Sequence, residues 1–378
     1  MSPFAGGARR AASRTGWLSG VLSVFLGALS LGAVLCLHFP AVLTTPTLRE
    51  IYPMREVRAL IQLTIGLAFF LGLLGALLRR HRLMPIAGLA LSLFASLLGG
   101  ASVPVAGPVA KSDYLGLDWF LVNVLLLALV FVPLEKLFPL DSAQSVFRPG
   151  WTTDLVYFFF SHVLVQFSLF LTLLPARVFF GWAVSPALQA AVASQSLALQ
   201  LLEILAVSDL AEYAIHRLFH RVPVLWRFHR IHHSSRRLDW IAGSRLHLVD
   251  VILTRGFTFV PLFVLGFADG PVKAYLVFVS FHAVFIHANV GFRLRWLDPF
   301  LVTPRFHHWH HSSEAEAVDR NFAVHLPVID RFFGTHHLPG RWPARYGLPD
   351  AELPESFFTQ LVLPFRGAGA QLACSRDP

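Results

Sequence analysis

The sequence predicts an all-α, polytopic integral membrane protein with about eight transmembrane helices and a histidine-rich helical cap on the cytoplasmic side. Three observations carry this. The composition is too apolar for a water-soluble globule: 55% of the residues are hydrophobic and 14% charged, with a mean hydropathy of +0.60, where soluble proteins carry about 25% charged residues. Apolar runs of spanning length recur along the chain. Fifteen of the eighteen histidines fall between His216 and His337.

A span needs about 20 apolar residues. Candidate spans are 17–37, 58–78, 83–100, 117–134, 153–174, 197–214, 248–268 and 271–290. The first follows Arg9, Arg10 and Arg14 and exceeds a signal-peptide core of about 7–15 residues, so it reads as a retained span. Proline-containing loops, 38–57 and 101–114, separate the early spans. This organisation predicts an N-terminal transmembrane region of about three spans (1–114), a histidine-bearing domain (115–340) and an irregular tail (341–378).

The net charge of +9 would in a soluble protein suggest nucleic acid. In a membrane chain, Lys and Arg instead mark the cytoplasmic side. With the N-terminus inside, the outer segments hold only Arg49, Arg55, Arg58, Lys111, Arg177 and Lys273. Both termini and all the histidine clusters are then cytoplasmic, and no nucleic-acid partner is expected. The Ala/Leu/Arg-rich composition points to a bacterial inner membrane. Two cysteines, Cys36 and Cys374, exclude a cysteine-based metal motif.

Three clusters carry the chemistry: His216 and His220; His229, His232 and His233; His307, His310 and His311. Residues three and four apart share a helix face, so each cluster can turn its imidazoles toward one place. Pro223 should break the helix after the first cluster and fold the second back on it. The hairpin 248–290 then returns the third to the same side. Eight histidines divide evenly between two ions, four each. Imidazole suits Fe, Zn and Cu alike, but eight of them beside a bilayer fit two redox-active irons better than a closed zinc site. Asp209, Tyr213, His216 and His220 lie along one stripe, and Asp209 or Glu212 is placed to orient ligand rings. Trp226, Trp240, Trp296 and Trp309 read as interfacial anchors.

The ordered motifs resemble the membrane fatty acid hydroxylase/sterol desaturase superfamily. They are Asp209-x3-Tyr213-x2-His216-Arg217-x2-His220, Leu225-Trp226-Arg227-x-His229-x2-His232-His233-Ser234, Arg245-x-His247, His287-x-Asn289, Pro304-x2-His307-x2-His310-His311, Asp319-x-Asn321 and Asp330-x2-Phe333-Gly334-Thr335. The resemblance spans about a third of the chain. Leu248 stands where the family often has Pro, and Phe322-Ala323 where it usually has Tyr-Gly.

The resemblance implies a non-haem di-iron centre that activates O2 against a C–H bond of a lipid, of sterol, fatty acyl or alkyl-glycerol type. It adds His287 to the metal ligands, and Asp209, Asn289 and Asp319 as candidates for orienting them. His282 is a weaker ligand candidate. His308 is expected to point away or to stand behind the ligands, and His247 is either an orienting or a substrate-facing residue. His38, His81, His162, His325, His336 and His337 read as structural. A carotenoid or alkane hydroxylase of the same chemistry is the runner-up, and a metal-cation transporter is disfavoured by the polar-poor, unrepeated spans. With no haem-binding domain, cysteine cluster or dinucleotide fingerprint in the chain, electrons must come from a separate donor of ferredoxin or cytochrome type.

Overall fold

The computed structural model describes residues 4–78, 82–105, 115–163, 174–349 and 352–366. They are helical, with no named strand among them, only isolated bridges at Pro139–Val290 and Ser312–Tyr346. Six helices are long and apolar enough to cross a membrane: Leu18–His38, Met54–Leu78, Leu83–Ser102, Leu117–Leu137, Leu248–Leu265 and Asp269–His287.

Two of the eight expected spans are thus not among the six. The run 153–174 begins as helix Trp151–Val163, and its continuation lies outside the described residues. The run 197–214 is helical, but Glu203, Asp209 and Glu212 fall within it. Three acids in eighteen residues are too costly for a lipid-facing span.

The chain divides into two compact units, residues 1–124 with 162–166 and residues 125–161 with 167–378. In the first, the three N-terminal spans pack around Val34, Leu37, Ile61, Ala95 and Val103. Small residues bring their backbones close: a β-carbon on Gly72 would sit 2.6 Å from Ser23 Oγ, and Ser30 bonds Thr64 across the interface at 2.9 Å. This is how helices associate where no water drives apolar surfaces together. The loop 38–57 contains short helices, Pro40–Leu43 and Pro46–Ile51. Asp118 fixes this loop, accepting from Thr45 N and from Tyr52 Oη at 2.9 Å each.

In the second unit, Leu197–Arg221 packs against the hairpin formed by Leu248–Leu265 and Asp269–His287, through Ile204, Leu262 and Tyr275. Ser196 caps the first of these helices by accepting from Leu199 N. It ends at Arg221, and Pro223 opens the next helix, Pro223–His229. Proline's fixed φ and missing N–H suit that first position, so the break expected from the sequence falls where it should. The hairpin turns at Gly266, whose φ of 68° is the left-handed value that closes a helix. The third box forms the helix Pro304–His310. Within the segment expected to be irregular, Phe357–Val362 is a short helix capped by Ser356.

Candidate metal centre

Nine imidazoles converge at one end of these helices, in two groups. His216, His220, His229, His233 and His310 form the first, and His232, His287, His307 and His311 the second, with the ligand atoms in each group within 4.8 Å of one another. All nine ring positions proposed from the sequence are therefore brought together. The even division into four and four is not found. The eight rings of the three boxes split five and three, and His287 completes the second group; the helix of box two stops at His229, and a 3-10 turn, His232–Ser234, carries its next two rings. Neighbouring residues His232 and His233 then diverge into different groups, as do His310 and His311.

The Nε2 atoms face inward. In the first group His216 Nε2 lies 3.1 Å from His229 Nε2, and the buried Nε2 atoms of His220, His233 and His310 have no hydrogen-bond partner. In the second, His307 Nε2 is 3.0 Å from His287 Nε2 and 3.1 Å from His311 Nε2, and His287 Nε2 is 3.4 Å from His232 Nε2. Buried polar atoms without partners are costly, and lone pairs gathered at such distances are what a shared cation would satisfy. The donor set fits a metal in both places.

Five of the outward nitrogens are tied to the scaffold, which fixes the tautomer and angle of those rings, while the Nδ1 atoms of His307 and His311 are buried without a partner. His216 Nδ1 donates to Phe322 O at 2.7 Å, His310 Nδ1 to Arg320 O at 2.9 Å, and His287 Nδ1 to Ala283 O at 2.7 Å. His232 Nδ1 reaches Arg245 O at 3.3 Å. His229 Nδ1 donates to Asp250 Oδ2 at 2.7 Å. Burial pushes His216 down to about 3, with the His220 ring adding to the effect. Burial also holds His229, His232, His233, His307, His310 and His311 well below the usual histidine value. At neutral pH the rings are neutral, the form that binds metal.

The segment 319–326 lies over the first group, and acids pin it. Asp330 accepts from Phe322 N and Ala323 N at 2.8 Å each, while Asp209 accepts from Val324 N, His325 N and Leu326 N at 2.8, 3.1 and 2.6 Å. Asp319 and Asn321 take the left-handed backbone, φ 57° and 59°, which Asp and Asn tolerate better than most residues. The Asn321 side chain donates to Phe306 O and His337 O. Phe322, where Tyr is more usual, is fully buried, its ring centroid 5.1 Å from that of His220.

Of the three orienting candidates, only Asp319 stands beside a ligand, 3.7 Å from His220 Nδ1. Asp209 acts through the backbone just described. Asn289 bonds the backbone of Asp141, at 2.9 and 3.1 Å. His282 joins neither group; it bonds Val302 O at 2.9 Å and His325 at 3.2 Å. His308 points to Tyr346 Oη, 2.9 Å away. His247 caps the hairpin's first helix by accepting from Val249 N, and its Nε2 meets Leu361 O at 3.0 Å. Trp240 and Trp309 are buried rather than interfacial, Trp309 completely; Trp296 is exposed. Trp309 packs on the His337 ring and under the Arg341 guanidinium, and its indole N–H donates to Arg341 O at 3.1 Å.

Two features escaped the sequence reading. Asp250 opens an apolar helix, an unusual place for a buried acid, and that was its signal. Gly243 has none: a β-carbon there would lie 2.7 Å from His287 Nδ1. Behind box two, Arg148 bonds Asp239 at 2.7 Å and Asp154 at 2.6 Å, and Arg245 bonds Asp154 at 2.5 Å. This buried network anchors the loop whose Arg245 carbonyl holds His232.

Residues 201–335, which hold every box, match the fatty acid hydroxylase family model. The chain carries a fatty acid hydroxylase domain. Similar curated proteins include an ornithine lipid hydroxylase of Rhizobium tropici, 33% identical over 46% of this chain and 53% of the relative. The alkylglycerol monooxygenase of Homo sapiens is 26% identical over 43% of this chain and 40% of its own length. A fatty acid hydroxylase of a Lecanicillium species is 30% identical over 34% and 39%. The matched hydroxylase region thus spans about half the length of these relatives or less. No solved structure is a significant match.

Proposed function

We propose that the protein is a membrane-bound, O2-dependent di-iron oxidoreductase that hydroxylates or desaturates a lipid. The observation that carries this reading is the pair of inward-facing Nε2 clusters at one end of a helical membrane domain. His216, His220, His229, His233 and His310 would hold one iron, and His232, His287, His307 and His311 the other. The chemistry that such irons supply when bound is reductive activation of O2 against an unreactive C–H bond, which no side chain here can perform. The chain's own part is to keep nine rings neutral, aimed and dry. Asp250 and the carbonyls of Phe322, Arg320, Ala283 and Arg245 hold the Nδ1 protons of His229, His216, His310, His287 and His232 outward, so that the Nε2 lone pairs of these five rings stay available. Asp319, beside His220, and Asp209, through the backbone of residues 324–326, are positioning residues for this shell, while Asn289 positions the loop at Asp141.

Hydroxylation consumes O2, two electrons and two protons and returns an alcohol and water; desaturation with the same inputs returns an alkene and two waters. Imidazoles supply no electrons, so a separate ferredoxin or cytochrome is the proposed donor. The Arg-rich surface around Arg217, Arg227, Arg230, Arg236 and Arg237 would attract an acidic carrier, and docking should slow as salt rises. The relatives' names point to a polar lipid, of ornithine-lipid, alkyl-glycerol or fatty acyl kind, as substrate class. The boxes sit at helix ends rather than inside spans, which favours this reading over a cation transporter.

Metal analysis of iron-reconstituted protein should give about two Fe per chain. Membrane lipids with and without the active protein should differ by an added oxygen or a lost pair of hydrogens. The His232→Ala variant should be inactive, and full activity in that variant would remove the second group from the proposal. A reporter after Pro378 should be cytoplasmic and one near Pro108 on the far side, placing the protein, if bacterial, in the inner membrane.

A further inference from the structure

The run Phe357–Phe365 contains no charged residue, though Glu352 and Glu355 precede it and Arg366 follows. It forms the helix Phe357–Val362 and a closing 3-10 turn, Leu363–Phe365. Its two faces differ. The inner face is anchored: Phe357 packs on Tyr157 and Phe160 at ring distances of 4.7 and 5.0 Å, and Gln360 is fully buried. Thr153 donates to Glu355 O, and Leu361 O lies 3.0 Å from His247 Nε2. The outer face is a stripe of Phe358, Val362 and Phe365, which are 70%, 44% and 68% exposed. Steps of four and three make this one side of the element.

We propose that Phe357–Phe365 is an interfacial helix, docking its Phe358–Val362–Phe365 stripe on the lipid headgroup layer. The occupant follows from position. His247, which the helix holds, is the N-cap of the spanning helix Leu248–Leu265, so the element lies across the mouth of a span, where hydrocarbon gives way to headgroups. Leu248, the span's first residue, is itself exposed, and the Phe365 ring lies 5.9 Å from that of His247, the residue before it. An uncharged helix with one bulky apolar face and a polar residue turned inward suits this layer and is poorly suited to open water. The surface helix also touches the box-two segment, since the Phe365 ring lies 5.4 Å from that of Phe228, the neighbour of His229. The segment thereby seats the histidine cap at a fixed height on the membrane.

The test places a single cysteine at position 358, 362 or 365 in a Cys36→Ala, Cys374→Ala background, with Ala344→Cys as the exposed control. Spin-labelled protein is reconstituted in phosphatidylcholine/phosphatidylglycerol nanodiscs. Collision rates with O2, which concentrates in lipid, and with a water-soluble nickel chelate are then compared. Labels on the stripe should favour O2 over the chelate several-fold more than the label at 344. Chelate access at 358 and 365 equal to that at 344 would overturn the proposal. So would shielding from both quenchers, which would mean that a protein or a second copy covers the stripe. Since the three positions share one face, any one that yields a monodisperse, helical protein decides the question.

Discussion

Gly243 and Asp250 show how single residues set ligand geometry. A methyl group at Gly243 would press on the His287 ring, which can escape only by breaking its 2.7 Å bond to Ala283 O. Gly243→Ala should therefore lower metal affinity at the second group, and iron per chain should fall below that of the parent protein in metal analysis. Asp250 acts differently, by holding the proton of His229 Nδ1. Removing such an acceptor typically costs about 10–100-fold in metal affinity. Asp250→Ala should show that loss in a competitive chelator titration, with the helical content unchanged. Affinity equal to that of the parent protein would mean that His229 needs no orienting.

At the scale of elements, the segment 319–326 has no regular structure and stays in place through side chains elsewhere. Asp209→Ala would strip acceptors from three backbone N–H groups, at a cost on the order of 3 kcal/mol. His216 and His310 rest on carbonyls of this same segment, so a lower melting temperature should come with loss of metal from the first group. Much of this architecture was legible in the sequence. The spacing of the boxes, the break at Pro223 and the return hairpin follow from helix periodicity and proline chemistry. What stayed hidden has common causes. The five-and-four split gathers rings from different boxes and draws His287 from the hairpin, a tertiary grouping that spacing within a box does not reveal. Most partners of the outward nitrogens are main-chain carbonyls, which leave no mark on residue identity. The short helix at Phe357–Val362 is held because the protein surface offers Phe357 the rings of Tyr157 and Phe160, a tertiary cause invisible in the run itself.

For the whole molecule, the buried rings make the metal-free fold sensitive to acid. Eight of the nine, His216, His220, His229, His232, His233, His307, His310 and His311, are held below the ordinary value of 6.5 by burial. An unfolded chain takes up protons near 6.5, while the folded one resists until much lower pH, so the unfolded state gains as pH falls. Stability of the metal-free protein should be level above about pH 7 and should decline steadily below about 6.5, as followed by thermal unfolding in detergent. A melting temperature unchanged down to pH 5 would mean that the rings accept protons without unfolding. Bound metal adds to the effect, since protons and metal compete for the same nitrogens.

Adjacent residues of boxes two and three serve different groups: His233 and His310 belong to one, His232 and His311 to the other. Peptide units are stiff, so fixing one ring of such a pair restricts where its neighbour can go. The first ion to enter would thus meet much of the ordering cost of the second site. Uptake should be cooperative, with singly loaded chains scarce at half saturation in native mass spectra. A statistical mixture of empty, singly and doubly loaded protein would instead show that the two sites fill independently despite sharing a backbone.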